Sequence, residues 1–299
     1  MSRLLAQHLG RAKRDRTSGA AEIALRAVEG VEAWLARHRH PSEAECEEVV
    51  VRLLHMHTSM APILRLANEV ALAADTPTPA NSLAAGLRSF RRGLEGARGR
   101  IARQFGAALD GAGRATISTY SYSSTVLASL RSARRRISGV LVAECHPGRE
   151  GRVTARLLAR GGISVEYTSD AAWLGLLGSS RALVLGADAV LPYAFVNKVG
   201  TRAACLAARE AGIPVWVLCD STKFLPEELA APFWRPSEGP AEQLWTRAPR
   251  GVDVRNPLIE HTELSRVRVF TEAGALETAQ VRAAIEGVRL SPRLKRLAE

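Results

Sequence analysis

Cysteines, aromatic residues and long apolar runs are all scarce in this 299-residue chain. The four cysteines, Cys46, Cys145, Cys205 and Cys219, form no CxxC pair and no spacing that would hold zinc, so no metal centre is expected and a reducing cytoplasm fits. Aromatics make up 5% of the residues, which leaves Leu, Val and Ala to fill the interior. No stretch of about 18 apolar residues is present, and residues 1–10 lack the apolar run of a signal peptide, so no membrane association is expected. Neither GxxxxGK nor GxGxxG follows a strand-like run, and no cofactor is expected.

The rest of the composition is that of a globular protein, 46% hydrophobic and 24% charged, long enough for one large domain or two ordinary ones. A formal net charge of +11 raises the question of a nucleic-acid partner. The excess is nearly all arginine, in clusters at 11–16, 88–103 and 131–136 that have helical spacing and few interleaved aromatics. They read as solvated helix faces, and nucleic acid is not the expected partner.

Over residues 2–111, apolar positions recur three and four apart at 21–38, 43–57, 62–73 and 83–109, with breaks at Pro41-Ser42, Thr58-Ser59 and residues 77–79. This half is expected to be a helical N-terminal domain, residues 1–112. Beyond Gly113, short apolar runs at 115–119, 139–143, 163–167, 182–185 and 215–218 alternate with helical stretches at 123–135, 151–160, 170–177 and 201–211. Such alternation predicts parallel strands joined by crossover helices, an α/β domain over residues 113–299. Residues 225–254 read as an irregular excursion that Trp234 and Trp245 pack onto the body, before a last strand at 267–270 and a helix at 276–288.

Ligands of an open parallel sheet bind outside the carboxyl ends of its strands, where helix amino termini present free amides. The candidates are therefore the residues just after each strand: 120–123, 144–151, 169–170, 186–188, 197–201 and 220–223. Arg149, Arg152 and Lys198 could neutralise a phosphate. Asp188 is placed either for acid/base work or as a helix cap. His146 is either a site imidazole or a loop histidine, and Cys145 either a buried small residue or a nucleophile. Ser121 and Ser123 can cap the next helix and also touch phosphate.

Taken together, Thr119-Tyr120-Ser121-Tyr122-Ser123, Glu144-Cys145-His146-Pro147 with Gly151, Gly186-Ala187-Asp188 and Asn197-Lys198-Val199-Gly200-Thr201 resemble one superfamily. It holds the regulatory alpha, beta and delta subunits of eukaryotic translation initiation factor two-B, ribose-1,5-bisphosphate isomerase and methylthioribose-1-phosphate isomerase. Residues 220–224, Asn256-Pro257 and residues 270–274 extend the resemblance, as do Ser18-Gly19-Ala20-Ala21-Glu22 and residues 58–62 more loosely.

The resemblance implies a helical domain on a Rossmann-like, mainly parallel sheet with helices on both faces, a sugar-phosphate pocket between them, and dimers or larger homo-oligomers. The family isomerases move protons with a cysteine and an aspartate and need no metal. Asp188 matches the aspartate, while Ser121 stands at the cysteine position. The isomerases have Glu-Thr-Arg-Pro where this chain has Glu144-Cys145-His146-Pro147, and Gln where it has Glu150. A thiol ionises near about 8.5 and a serine hydroxyl has no comparable ionisation, so Ser121 needs a neighbouring base. Glu150 repels a phosphate unless it is paired.

The resulting expectation is a binder of a phosphorylated sugar or nucleotide monophosphate, acting as sensor or assembly subunit. The alternative is an aldose–ketose isomerase using Asp188 with Ser121 or Cys145. A third reading has the basic surface meet RNA or an acidic partner. Ser18, Gly19, Ala20, Tyr120, Asn197 and Lys223 complete the candidate ligand residues. The geometric expectation is that loops carrying Ser121, Arg149, Asp188 and Lys198 converge on one anion-sized hollow facing the helical half.

Overall fold

The computed structural model describes residues 3–14, 19–56, 60–111, 113–233, 238–265 and 267–298. Five helices come first: α1 (Arg3–Arg14), α2 (Ala20–Leu35), α3 (Glu43–Leu54), α4 (Ala61–Ala74) and α5 (Pro79–Ala108). Local chemistry sets their starts. Ser42 and Glu45 exchange hydrogen bonds in a capping box that opens α3, the Ser42 amide donating to Glu45 Oε2 at 2.8 Å. Pro79 opens α5 four residues earlier than the apolar period indicates, because a first-turn proline lacks only an amide that has no intrahelical acceptor there. Ile23, Val31, Leu53, Leu64 and Leu87 close a shared core among these helices.

The chain then alternates: β1 (Ala115–Thr119), α6 (Ser124–Ser132), β2 (Ile137–Ala143), α7 (Glu150–Arg160), β3 (Val165–Thr168), α8 (Asp170–Leu176) and β4 (Ala182–Leu185). There follow β5 (Ala189–Val190), β6 (Ala194–Lys198), α9 (Thr201–Glu210), β7 (Val215–Leu218) and α10 (Glu227–Phe233). The last elements are β8 (Ile259–Glu263), β9 (Val267–Thr271), β10 (Gly274–Leu276), α11 (Thr278–Glu286) and α12 (Pro292–Ala298).

Seven strands form the main sheet in the order β10-β9-β7-β4-β1-β2-β3, parallel apart from β10. Alternation along each strand sorts side chains between two layers. Ile117, Val140, Val142, Val184 and Trp216 meet Ile101 and Phe105 of α5, Leu127 and Leu130 of α6 and Leu158 of α7. Leu141, Leu183, Leu185, Val215 and Val217 meet Trp173 of α8, Ala204 and Ala208 of α9 and Val281 of α11. The winding runs outward in both directions from the β1–β4 pair, so the two crossovers diverge there and leave a crevice above those strand ends.

Three details depart from the sequence-based reading. Asn197 and Lys198 lie within β6, the middle strand of a separate antiparallel sheet β5-β6-β8, and not in a loop following a parallel strand. The 225–254 excursion begins with a helix, α10, whose Leu229 and Ala230 are buried against the helical half. Trp245 is 51% exposed and so does not pack the excursion onto the body, and Trp234 lies outside the described residues. No helix among the described residues is long and apolar enough to cross a membrane.

Candidate functional site

The site is built at the carboxyl ends of β1, β2 and β4. The chain leaves β1 through Ser121, with φ 66, and enters α6 under a cap from Ser123, whose Oγ accepts the Val126 amide at 3.3 Å. It leaves β4 at Gly186, where a Cβ would stand 2.7 Å from both Cβ and Oγ of Ser123, so only glycine lets the two loops approach this closely. After β2 it passes through Cys145 (φ 64) and Arg149 (φ 58) into α7. Ser121, Cys145 and Arg149 are the non-glycine residues with left-handed φ among the described residues, and such backbone costs on the order of 1 kcal/mol each unless its surroundings fix it.

Here the surroundings do fix it. Asp170, at the start of α8, accepts the Cys145 amide at 2.6 Å and the His146 amide at 2.8 Å. The Ser121 amide donates to Cys145 Sγ at 2.9 Å, and Thr154 Oγ1 donates to the Ser121 carbonyl at 3.1 Å. Gly151 presses α7 onto β2: a Cβ there would lie 1.8 Å from the Ala143 carbonyl oxygen.

A hollow of about 520 Å³ lies between these strand ends and the helical half. Gly19 and Ala20 open α2 on one wall, Ser123, Ser124 and Thr125 open α6, Gly148 and Glu150 open α7, and Asn197 and Lys198 come from β6. Three helix amino termini thus face one space, each contributing partial positive charge. Lys198 and Lys223, two of the chain's four lysines, are each 6% exposed. Lys198 Nζ pairs with Glu150 Oε1 at 3.0 Å, and Lys223 Nζ donates to the Ala187 carbonyl. Asp188 sits half-buried beside them, and burial raises its carboxyl pKa against an opposing pull from Lys223. The first amides of α9 are not free for an anion, because Glu260 Oε1 accepts those of Gly200 and Arg202 at 2.8 and 2.7 Å.

The structure brings Gly19, Ala20, Ser121, Ser123, Asp188, Asn197, Lys198 and Lys223 to the hollow. It places Tyr120, Cys145, His146, Arg149, Gly151 and Arg152 elsewhere. Tyr120 lies beneath, its hydroxyl donating to the Val199 carbonyl at 2.9 Å and its ring against Trp173. Cys145 is buried, and desolvation pushes its thiol pKa up to about 12. His146 faces solvent. Arg149 and Arg152 turn outward toward Glu144, Arg152 Nη2 donating to its carboxylate at 2.7 Å, so neither supplies the phosphate-binding fork expected of it. Gly151 serves helix–strand packing, and Ser18 lies outside the described residues.

Glu150 was foreseen only as a hazard and turns out to be a wall residue already paired. Ser124 and Thr125 follow a recognised cap and could have been inferred from it, whereas Met60, Leu258 and Ile259 arrive from distant segments with no local signal. A larger groove of about 770 Å³ between α9 and β8, lined by Tyr193, Leu206 and His261, gathers none of the strand-end loops.

Against known proteins, the model of the initiation factor 2 subunit family matches residues 16–278. The chain belongs to that family. An eIF-2B subunit 2-like translation initiation factor of Pyrococcus horikoshii is 32% identical over 222 residues, covering 72% of this chain and 77% of the relative. The ribose 1,5-bisphosphate isomerase of Archaeoglobus fulgidus is 32% identical over 171 residues, covering 54% of this chain and 53% of the enzyme. The crystal structure of the Pyrococcus horikoshii translation initiation factor eIF-2B superposes with a TM-score of 0.76 at 27% identity, covering 92% of this chain and 98% of that one. This initiation factor 2 family member therefore has relatives named for translation and relatives named for sugar-phosphate isomerisation.

Proposed function

We propose that this family member binds a small phosphorylated metabolite, a sugar phosphate or nucleotide monophosphate, between a helical domain of residues 1–112 and an α/β domain of residues 113–299. It does so as a sensor or as a subunit of a homo-oligomer. The observation that carries this reading is the convergence of three helix amino termini and two buried lysines on one hollow. The hydroxyls of Ser123, Ser124 and Thr125 stand where a phosphate needs donors. With Lys198 already neutralised by Glu150, the remaining positive field comes from Lys223 and the helix amides.

Binding without turnover is favoured by the thiols. Ser121 occupies the position of the isomerases' cysteine, and a hydroxyl carries no accessible charge near neutrality. Cys145 is outside the hollow, and its thiol, at about 12, stays protonated at neutral pH.

One observation favours the isomerase reading. Asp188 faces the hollow and holds its proton more tightly than an ordinary carboxyl, which suits a general acid. Incubating the protein with ribose 1,5-bisphosphate or methylthioribose 1-phosphate and following ketose signals by proton NMR separates the two. Saturable binding with no ketose supports the sensor reading, and turnover abolished by Asp188→Asn eliminates it.

A further inference from the structure

The formal charge of +11 is concentrated in one part of the chain. Residues 88–164 hold 15 of the 41 Lys and Arg side chains and four of the 30 Asp and Glu, which accounts for the whole excess; the other 222 residues balance at 26 of each sign. An arginine-rich composition spread evenly would not give this.

The fold sorts these arginines further. Toward the carboxyl end of the sheet Arg98 pairs with Glu22 at 2.8 Å and Arg152 with Glu144 at 2.7 Å, and Arg91, nearer the start of α5, pairs with Glu32. At the opposite end of the sheet some are structural. Arg114 Nε donates to the Ile137 carbonyl at 2.9 Å, Arg131 Nη2 to the Leu157 carbonyl at 2.6 Å, and Arg136 Nε pairs with Asp110 at 2.6 Å. Arg88, Arg92 and Arg100, earlier in α5, also lack a partner among the described residues; at the amino end of the sheet Arg103, Arg134, Arg135, Arg156 and Arg160 remain, all exposed and all without a side-chain hydrogen bond or ion pair among the described residues.

Topology gathers these five. Helices α5, α6 and α7 cover one face of the sheet, and the crossovers return to its amino edge. Arg134 and Arg135 follow the last turn of α6, Arg160 ends α7 with Arg156 one turn before it, and Arg103 lies near the end of α5. The seven residues of β2 put this end roughly 20 Å from the hollow at about 3.3 Å per residue. Asp110, the one carboxylate of residues 88–164 at this end, is taken by Arg136.

We infer that this arginine face docks double-helical nucleic acid through its phosphate backbone. Guanidinium groups match phosphate oxygens in a planar fork. Single strands need aromatic platforms, and an acidic peptide needs an apolar anchor. The large exposed apolar side chains of this stretch and its neighbour β3 are Val153 and Tyr167, and neither lies among the five: Val153 lines the hollow, and Tyr167 accepts from Arg152. Contact is therefore to backbone charge and not to base sequence.

Fluorescence anisotropy of the full chain with labelled RNA and DNA duplexes of about 20 base pairs tests this at about 50 and 200 mM KCl. Five neutralised phosphates give a log–log salt slope of about −4.5, an affinity loss of about 500-fold between the two salts. Arg134→Ala with Arg135→Ala, or Arg156→Ala with Arg160→Ala, each reduces the slope by about two. Both pairs are exposed, so the unfolding midpoint and phosphate-ester binding stay unchanged, which keeps this test separate from that of the hollow. A preference between RNA and DNA identifies the source of the duplex. No duplex binding at low salt, salt-insensitive binding, an unaltered slope in both double variants, or tighter binding of single-stranded RNA or polyglutamate overturns the inference.

Discussion

Replacing Glu150 by glutamine should move ligand affinity and folding stability in opposite directions. Glu150 and Lys198 form an ion pair at 3.0 Å on the wall of the hollow, the lysine almost fully buried and the carboxylate 36% exposed. An incoming phosphate meets this pair as nearly neutral. Removing the carboxylate's charge frees Lys198 to attract the anion. At about 6 Å and an effective dielectric near 20, one unit charge is worth about 2.8 kcal/mol. Screening at the half-open carboxylate cuts this to about 1 to 1.5 kcal/mol, roughly a tenfold gain in affinity. Without ligand the buried ammonium loses its partner, and the protein should become less stable by about 1 to 2 kcal/mol. Titration calorimetry with ribose 5-phosphate and urea unfolding read the two effects. Weaker binding by Glu150→Gln would refute the reasoning, because it would mean that the carboxylate receives the ligand and does not repel it.

Three further outcomes follow from the geometry. At pH 8 the Cys145 thiol, pushed up to about 12, is ionised in about one molecule in ten thousand, so iodoacetamide should label it roughly a thousandfold more slowly than a free thiol, as peptide mass mapping would read. The raised carboxyl pKa of Asp188 stabilises the fold fully below about pH 4, and this contribution is lost as pH rises through the folded-state value. The stability of the wild type relative to Asp188→Asn, from urea curves, should therefore fall as pH rises above about pH 4, and a constant difference would contradict this. Gly151→Ala puts a methyl 1.8 Å from a backbone carbonyl and should cost about 3 kcal/mol or more, while Gly186→Ala puts one 2.7 Å from Ser123 Cβ, which no rotation moves, so the two loops must part at a cost of about 1 to 3 kcal/mol.

The parallel strands could be read from the sequence because each is a short β-branched or apolar run bounded by turn residues, as in residues 182–185 and 215–218. The antiparallel sheet could not. Residues 194–198 end in Asn197 and Lys198, and residues 259–263 carry two glutamates and a histidine, so neither shows an apolar period, and their pairing joins positions some sixty residues apart. At the site, strand-end logic located Ser121, Ser123 and Asp188 because it depends only on topology. It misplaced Arg149 and Arg152 because side-chain direction at a helix start depends on the left-handed backbone of Arg149 and on Glu144 within reach, neither of which has a sequence signature.

The most direct measurement is a crystal structure of the protein grown with ribose 1,5-bisphosphate. A phosphate seated against the first amides of α6 and α7, within hydrogen-bond reach of Lys223, is the expected result. An empty hollow at saturating ester, or the ester bound instead beside Tyr193 and His261, would contradict it.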